Sequence, residues 1–229
     1  SSAVAILGVF AFAAIIGLMN GILVVYLGFN AFIATLATLI FLRGMSLGVT
    51  HGQTLSNLPA LVTAPGDATV ANIPVAFIIA LALLLLLTLF MSRHRFGRML
   101  YAIGGNAQAA RVAGIPVERV LLGVFVTASM LAALAGLMQA GRIASIPSSL
   151  GQNLIFNAFA AAVLGGVSLN GGKGTIAGAC GGVLLLVLIQ NVLVLSQVPA
   201  YWISATTGLI ILIALLIGKL SSSGGERRD

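Results

Sequence analysis

The side chains that could do acid, base or nucleophilic chemistry are few in this sequence and widely scattered. The 229 residues contain four carboxylates and two histidines, namely Asp67, Glu118, Glu226, Asp229, His51 and His94. General acid–base catalysis needs such groups within hydrogen-bonding reach of a substrate, and none of these falls inside an apolar segment. The single cysteine, Cys180, lies in a Gly/Ala run, which indicates a packing residue and excludes a disulfide framework. The sequence therefore predicts no catalytic residue and no metal site.

The elements that would position any functional groups are membrane helices. The chain is 60% hydrophobic and 7% charged, with a mean hydropathy of +1.17, so it has too few polar residues to cover a water-facing globule. Seven apolar runs are long enough to cross or nearly cross a bilayer: 3–27, 31–49, 73–92, 120–140, 154–169, 175–195 and 203–220. Of these runs, 154–169 is short. The composition predicts an all-α, polytopic transmembrane helix bundle of about seven segments, forming one domain over residues 1–229.

The distribution of basic residues predicts which side of the membrane each loop occupies. The segment 93–119 carries five arginines and one glutamate, so the positive-inside rule makes it a cytoplasmic loop. Three runs precede this loop and four follow it, which places Ser1 outside and Asp229 in the cytoplasm. The net charge of +7 is thereby explained by topology, and nucleic-acid binding is not expected. The outer segment 50–72 reads as an ordered or semi-ordered loop that faces a soluble partner or simply connects two spans.

The polar residues inside the runs bear on the class of transport. Ion-coupled carriers commonly use ionisable groups within the membrane, and this chain has no carboxylate there. Gly172-Lys173 lacks the rest of a phosphate-binding loop, so the chain is not expected to hydrolyse ATP by itself. A path for a hydroxylated solute could use the amides and hydroxyl of Asn20, Thr35, Asn157, Gln190 and Asn191. Such groups also serve simply to bridge helices.

The cytoplasmic loop contains a short, sharply delimited helix. Asn106 is a favourable N-cap and Gly114 a favourable stop, so the alanine-rich stretch 107–113 between them is predicted to form about two turns. A rigid surface helix with small side chains could insert into a socket on another protein. A mere capped turn is the alternative.

Glycines are dense between the fifth and sixth runs. They permit tight turns and close backbone approach over 164–174. Gly174, Gly178 and Gly182 recur every four residues and predict a helix-packing or subunit contact, together with Gly165 and Gly166. Residues 15–36 also resemble 185–206, each with an Asn- or Gln-centred apolar run followed by an aromatic-Ile pair. They would form inverted repeats on this topology, unless the likeness is due to chance.

Several spaced motifs together resemble one family. The stretch 96–106 (FGRMLYAIGGN), Ala109-Ala110-Arg111 and 114–117 (GIPV) are similar to the cytoplasmic loop of ribose-type ABC sugar permeases, which are membrane subunits of bacterial carbohydrate importers. Similar matches occur at 31–36 with 42–44, at 162–169 and at 171–174. The resemblance implies that the loop helix is the ATPase-coupling element, formed here by Gly104, Gly105, Asn106, Ala109, Ala110, Arg111 and Gly114.

The resemblance also implies an assembly and a location. Its expected partners are a cytoplasmic ABC ATPase that binds ATP and Mg, a second permease subunit, identical or different, and a periplasmic solute-binding protein. This chain would bind no cofactor itself and would lie in the bacterial inner membrane. Related permeases carry branched-chain amino acids and other small solutes, so a solute other than a monosaccharide is an alternative. Family members have further spans upstream, which implies a truncated chain and leaves a non-transporting subunit as another alternative. A passive or secondary carrier is the remaining one.

Overall fold

The computed structural model describes residues 2–56, 58–152, 154–168 and 171–223. Ten α-helices and one two-stranded hairpin are formed within these ranges. The helices are α1 (Ser2–Val25), α2 (Ala31–Thr50), α3 (Ala60–Asp67), α4 (Val75–Arg93), α5 (Arg95–Gly105), α6 (Ala107–Val112), α7 (Val117–Ile143), α8 (Leu154–Leu164), α9 (Ile176–Leu195) and α10 (Ala200–Ser223). The strands β1 (Thr69–Val70) and β2 (Ile73–Pro74) pair antiparallel.

The predicted helical membrane fold is confirmed. Among the described residues, five helices are long and apolar enough to cross a bilayer, namely α1, α2, α4, α7 and α9. The short fifth run forms the 11-residue helix α8, and the seventh coincides with α10. The count of seven spans and the sidedness of the termini stay predictions.

Large apolar side chains cover the surface of these helices. The window of α4 that could span the membrane has none of its residues buried, and that of α2 has only 6% buried. In water this exposure would be unfavourable, whereas lipid tails solvate such side chains as well as a protein core does. The fold therefore requires the bilayer as its solvent.

The segment predicted as an ordered outer loop has its own secondary structure. It contains the eight-residue helix α3 and the strand β1, whose partner β2 lies at the start of the predicted third run, and Leu55 forms an isolated antiparallel bridge with Ile146. Both backbone hydrogen bonds of that bridge are short, at 3.0 and 2.8 Å. The segment is therefore held in place by paired backbone groups.

The backbone contacts divide the chain into two compact units, each of which is described separately. Unit 1 comprises Ser1–Leu86 and Gly114–Leu150. Its helix α1 lies against α7 at Gly17, where an added Cβ would be 2.7 Å from the carbonyl oxygen of Phe125. The helix α3 also lies against α7, with Gly66 facing Gly141. Glycine allows the backbones to approach closely at both crossings.

Unit 2 comprises Leu87–Ala113 and Gly151–Asp229, and its core is the packing of α8 against α9. An added Cβ at Gly165 would be 2.7 Å from Cα of Ala179, and one at Gly182 would be 2.7 Å from the backbone nitrogen of Gly165. The helix α10 also contacts α8 and α9. These glycine contacts bring α8 and α9 together along one face.

Candidate functional site

The short helix predicted in the cytoplasmic loop is present as α6. It spans Ala107–Val112, just under two turns. The side chain of Asn106 caps it by accepting hydrogen bonds from the backbone N–H groups of Gln108 and Ala109, at 3.0 and 2.9 Å. The same residue ends the preceding helix, since the Asn106 N–H donates to the carbonyl of Ala102 at 3.1 Å. One residue thus joins α5 to α6 with no intervening loop.

The residues proposed for ATPase coupling differ in accessibility. Ala109, Arg111 and Gly114 are exposed, whereas Ala110 is only 4% exposed. Gly114 has a φ of +81°, as expected for the stop that follows α6. Ala110 therefore supports the loop from within, and only its neighbours can contact another protein.

Val112 is an exposed apolar residue that the sequence analysis did not single out. Its side chain is 87% exposed at the last position of α6. This is the highest exposed fraction among the large apolar side chains of the described residues, and it occurs on a loop predicted to face water. A signal was present in the sequence, because Val112 is the one large apolar residue of the stretch 107–113.

The helix α5 was not predicted as a separate element. The side chain of His94 caps its start by accepting a hydrogen bond from the N–H of Phe96 at 3.2 Å. Arg93, Arg95 and Arg98 are exposed around this turn, and the Arg98 guanidinium donates to the carbonyl of Arg93 at 3.2 Å. Three of the five arginines that indicated a cytoplasmic loop thus surround the start of α5.

The far end of α5 lies against the glycine-rich connector 165–175. The hydroxyl of Tyr101 donates to the carbonyl of Gly174 at 2.8 Å, and Gly104 lies directly on Gly172. The proposed coupling residue Gly104 is therefore half-buried against backbone, whereas the adjacent Gly105 is exposed and a Cβ added to it would have no atom within 4 Å.

The glycines proposed for packing or subunit contact have different surroundings. Gly165, Gly178 and Gly182 lie at the crossing of α8 and α9, within this chain. Gly174 lies beside Val167 and adopts a φ of +143°, while Gly166 is exposed. The four-residue spacing therefore corresponds to packing inside unit 2 over Gly178 and Gly182.

Two of the residues proposed for the solute path meet in unit 2. The amide of Gln190 donates to the carbonyl oxygen of Asn157 at 3.4 Å and lies 3.5 Å from the hydroxyl of Thr207. These three side chains link α9, α8 and α10, and Thr207 is the most buried of them, at 9% exposed. Asn191 is exposed beside them. Both amide residues are only half-buried.

The other two proposed path residues, in unit 1, are engaged differently. Asn20 is buried, and its side-chain oxygen accepts a hydrogen bond from the hydroxyl of Thr38 at 2.7 Å. The hydroxyl of Thr35 donates to the carbonyl of Ala31 on its own helix, at 2.8 Å. Asn20 therefore bridges α1 to α2, and Thr35 satisfies its hydroxyl locally.

The internal repeat suspected in the sequence has a counterpart in these hydrogen bonds. Asn20 is the sixth residue from the end of α1 and Thr38 the eighth of α2, while Gln190 and Thr207 hold the same positions in α9 and α10. In both helix pairs, α1–α2 and α9–α10, the threonine hydroxyl also donates to the carbonyl four residues earlier on its own helix, at 3.0 Å. The two helix pairs thus share one polar link.

Comparison with known proteins identifies relatives over nearly the whole chain. Residues 2–215 match the family described as branched-chain amino acid transport system / permease component. The chain is 41% identical over 212 residues to the autoinducer 2 import system permease protein LsrC of Klebsiella pneumoniae, covering 92% of this chain and 61% of that protein. It is 40% identical over 206 residues to LsrC of Yersinia enterocolitica, covering 89% and 57%. It is 35% identical over 210 residues to the probable ABC transporter permease protein y4mJ of Sinorhizobium fredii, covering 91% and 63%.

The chain therefore spans about three fifths of the length of the curated relatives it matches. No solved structure matches it. The resemblance to ABC permeases found from the motifs is confirmed by these relatives.

Proposed function

Because the chain belongs to the family of branched-chain amino acid transport system permease components, we propose that it is the membrane-spanning subunit of an ABC importer. It works in the bacterial inner membrane and moves a small, monosaccharide-like solute into the cytoplasm. The observation that carries this proposal is the family match over residues 2–215, together with the five described helices that are apolar enough to cross a bilayer.

The energy for import comes from a partner. The sequence of the five spans contains one carboxylate, Glu118 in the first turn of α7, so ion coupling through buried carboxylates has little support. ATP and Mg bind to a cytoplasmic ABC ATPase, and a second permease subunit and a periplasmic solute-binding protein complete the assembly. This chain contributes the path and a surface for the ATPase.

The ATPase contacts α6. Its exposed Val112 and Ala109 give a small apolar surface, and the Asn106 cap holds the helix rigidly on the end of α5. Burying a valine side chain contributes about 1.5 kcal/mol, equivalent to roughly a tenfold change in affinity. Binding at α6 can therefore be tested with a single side chain.

The solute contacts the half-buried amides of Asn157 and Gln190. Amide groups can donate to and accept from sugar hydroxyls, and both residues are half-buried beside Thr207. The relatives named for autoinducer 2 import support a small polar solute over a hydrophobic one. A branched-chain amino acid, the solute in the family description, is the alternative.

Uptake by reconstituted vesicles tests the function. Proteoliposomes containing the permease, its ATPase and its binding protein are expected to accumulate radiolabelled ribose or autoinducer 2 only when ATP is present on the side of the membrane that carries the ATPase. Leucine should not compete with this uptake. Uptake that persists without ATP would instead support a passive or secondary carrier. ATPase binding without any uptake would support a non-transporting subunit.

Val112→Gln tests the docking surface within the same system. We expect about tenfold weaker ATPase binding and correspondingly lower uptake, with unchanged thermal stability because the side chain is exposed. Val70→Gln is the matched control, since Val70 is an exposed valine in the hairpin β1–β2. Equal ATPase affinity of Val112→Gln and wild type would refute docking at α6.

A further inference from the structure

The end of α5 makes two contacts with a part of the chain about 70 residues away. The hydroxyl of Tyr101 donates to the carbonyl of Gly174 at 2.8 Å, across a separation of 73 residues. One turn further along α5, Gly104 lies on the backbone of Gly171 and Gly172. Together they fix α5 on the connector that joins α8 to α9.

The glycine contact leaves no room for a side chain on either partner. A Cβ added to Gly104 would lie 2.7 Å from Cα of Gly172 and 3.2 Å from the carbonyl carbon of Gly171. A Cβ added to Gly172 would lie 2.7 Å from the carbonyl carbon of Gly104. Because backbone atoms meet directly, any displacement of α5 toward the connector must move the connector.

The connector is tied to the helices on both sides. Towards α8, the N–H of Val167 donates to the carbonyl of Ala162 at 3.0 Å. Within the connector, the N–H of Ser168 donates to the carbonyl of Lys173 at 2.9 Å. Towards α9, the side chain of Thr175 accepts from the N–H of Gly178 at 3.0 Å and caps that helix. A push on the connector therefore reaches both helices.

The other end of α5 is joined to α6 by Asn106 alone. The Asn106 N–H bonds to α5 and its side chain bonds to α6, so the two helices share one cap. The helices α6 and α5 therefore lead to the connector as two rigid elements, with no flexible loop between them. A displacement of α6 is transmitted along α5 to the connector.

We propose that Tyr101 and Gly104 are positioning residues that carry movement of α6 to the connector and so to the α8–α9 pair. The proposal rests on the proposed function, because the ATPase is what moves α6. The tyrosine hydrogen bond resists separation of α5 from the connector, and the glycine contact resists compression. Neither residue touches the solute or the ATPase in this scheme.

Two matched pairs of variants test the proposal in the reconstituted transporter. Tyr101→Phe removes one hydroxyl, and Tyr26→Phe is its control at another exposed tyrosine, in the α1–α2 connection. Gly104→Ala adds a methyl group against the connector, and Gly136→Ala adds the same group to open space on α7. The measurements are ATPase binding, ATP hydrolysis, solute taken up per ATP hydrolysed, and thermal stability.

We expect uptake per ATP to fall about fivefold in Tyr101→Phe, which is the change in an equilibrium that the loss of one hydrogen bond produces. We expect it to fall more than tenfold in Gly104→Ala. ATPase binding should stay within twofold of wild type in both, and the two controls should behave as wild type. A merely structural role would lower thermal stability and leave uptake per ATP of the folded protein unchanged. That result, or equal uptake per ATP in Tyr101→Phe and Tyr26→Phe, would overturn the proposal.

Hydrogen exchange separates failure of this proposal from failure of the proposed function. In the permease alone, in nanodiscs, Tyr101→Phe should speed amide exchange at Gly178 and Ala179 at least threefold relative to Tyr26→Phe, whether or not the protein transports a sugar. Unchanged exchange there would overturn the mechanical link even if uptake is normal. Absent ATPase binding by wild-type permease would instead refute the proposed function.

Discussion

Adding one methyl group at Gly182 should separate α8 from α9, whereas the same change one residue earlier should not. A Cβ at Gly182 would lie 2.7 Å from the nitrogen of Gly165 and closer still to the carbonyl oxygen of Ala161. A Cβ at Gly181 would have no atom within 4 Å. The two variants therefore differ only in whether the methyl group meets the backbone of α8.

The magnitude follows from the distances. Ordinary contact begins at 3.4 Å, so the helices must separate by at least 3.4 − 2.7 = 0.7 Å to clear the nitrogen of Gly165, and by more to clear the carbonyl oxygen of Ala161. A gap of that size costs roughly a quarter to a half of the dispersion energy of each contact along the interface. Overpacking of this kind costs about 1–3 kcal/mol, and the close carbonyl oxygen of Ala161 puts Gly182→Ala at the upper end of that range, whereas the gain in helix propensity, up to about 1 kcal/mol, is common to both variants. We expect the variants to differ by about 3 kcal/mol.

Thermal unfolding in detergent measures this difference. At about 3 °C per kcal/mol for a chain of this size, Gly182→Ala should melt roughly 10 °C below Gly181→Ala. Labelling of Cys180 by a thiol-reactive dye is a second readout, because this half-buried residue lies on α9 beside the crossing. Its labelling rate should rise in Gly182→Ala.

Equal melting temperatures for the two variants would refute the packing argument. That result would mean that α8 and α9 either do not touch at Gly182 or separate without cost in the detergent. A loss of stability in Gly181→Ala alone would place the tight contact on the opposite face of α9.

Two further predictions concern unit 1. Thr38→Val should destabilise the protein by about 1–2 kcal/mol, because it leaves the buried side-chain oxygen of Asn20 without its hydrogen-bond donor. Thr35→Val should be nearly neutral, because the Thr35 hydroxyl bonds only to its own helix. Thermal melts of both variants check this. Gly66→Ala should release α3 from α7 and speed proteolysis of the segment 50–72. Gly136→Ala adds its methyl group to open space on α7 and should leave the cleavage rate unchanged. Equal cleavage rates for the two variants would contradict the contact between α3 and α7.

The sequence by itself determined where the long apolar helices and the loop helix lie. Runs of apolar residues set the spans because a helix satisfies its own backbone in lipid. The ends of α6 follow from Asn106 and Gly114, whose effects act over three or four residues. The motifs also identified the family, because they are spread over the whole chain. All these signals are local, or are sums of local signals.

The sequence did not reveal α5 as a separate helix. The polar residues from Ser92 to Arg95 indicated a loop, whereas the break between α4 and α5 is one residue, His94. A tight turn of this kind depends on Gly97, where a Cβ would lie 2.7 Å from Cα of Met91. The sequence shows a glycine there, but only the folded chain shows that it lies against the backbone of Met91.

Only the tertiary structure decided which polar and glycine residues meet. Gly104 and Gly105 are indistinguishable in sequence, yet a Cβ added to the first would meet Gly172 and one added to the second would meet open space. Ala109 and Ala110 likewise differ in exposure, and Gln190 finds its partners 33 and 17 residues away. Close contacts of this kind depend on how helices cross, which is set by the packing of many side chains together. The sequence thus predicted the charged loop and its helix, and the structure showed that this loop contacts the backbone of the connector 165–175 at Gly172.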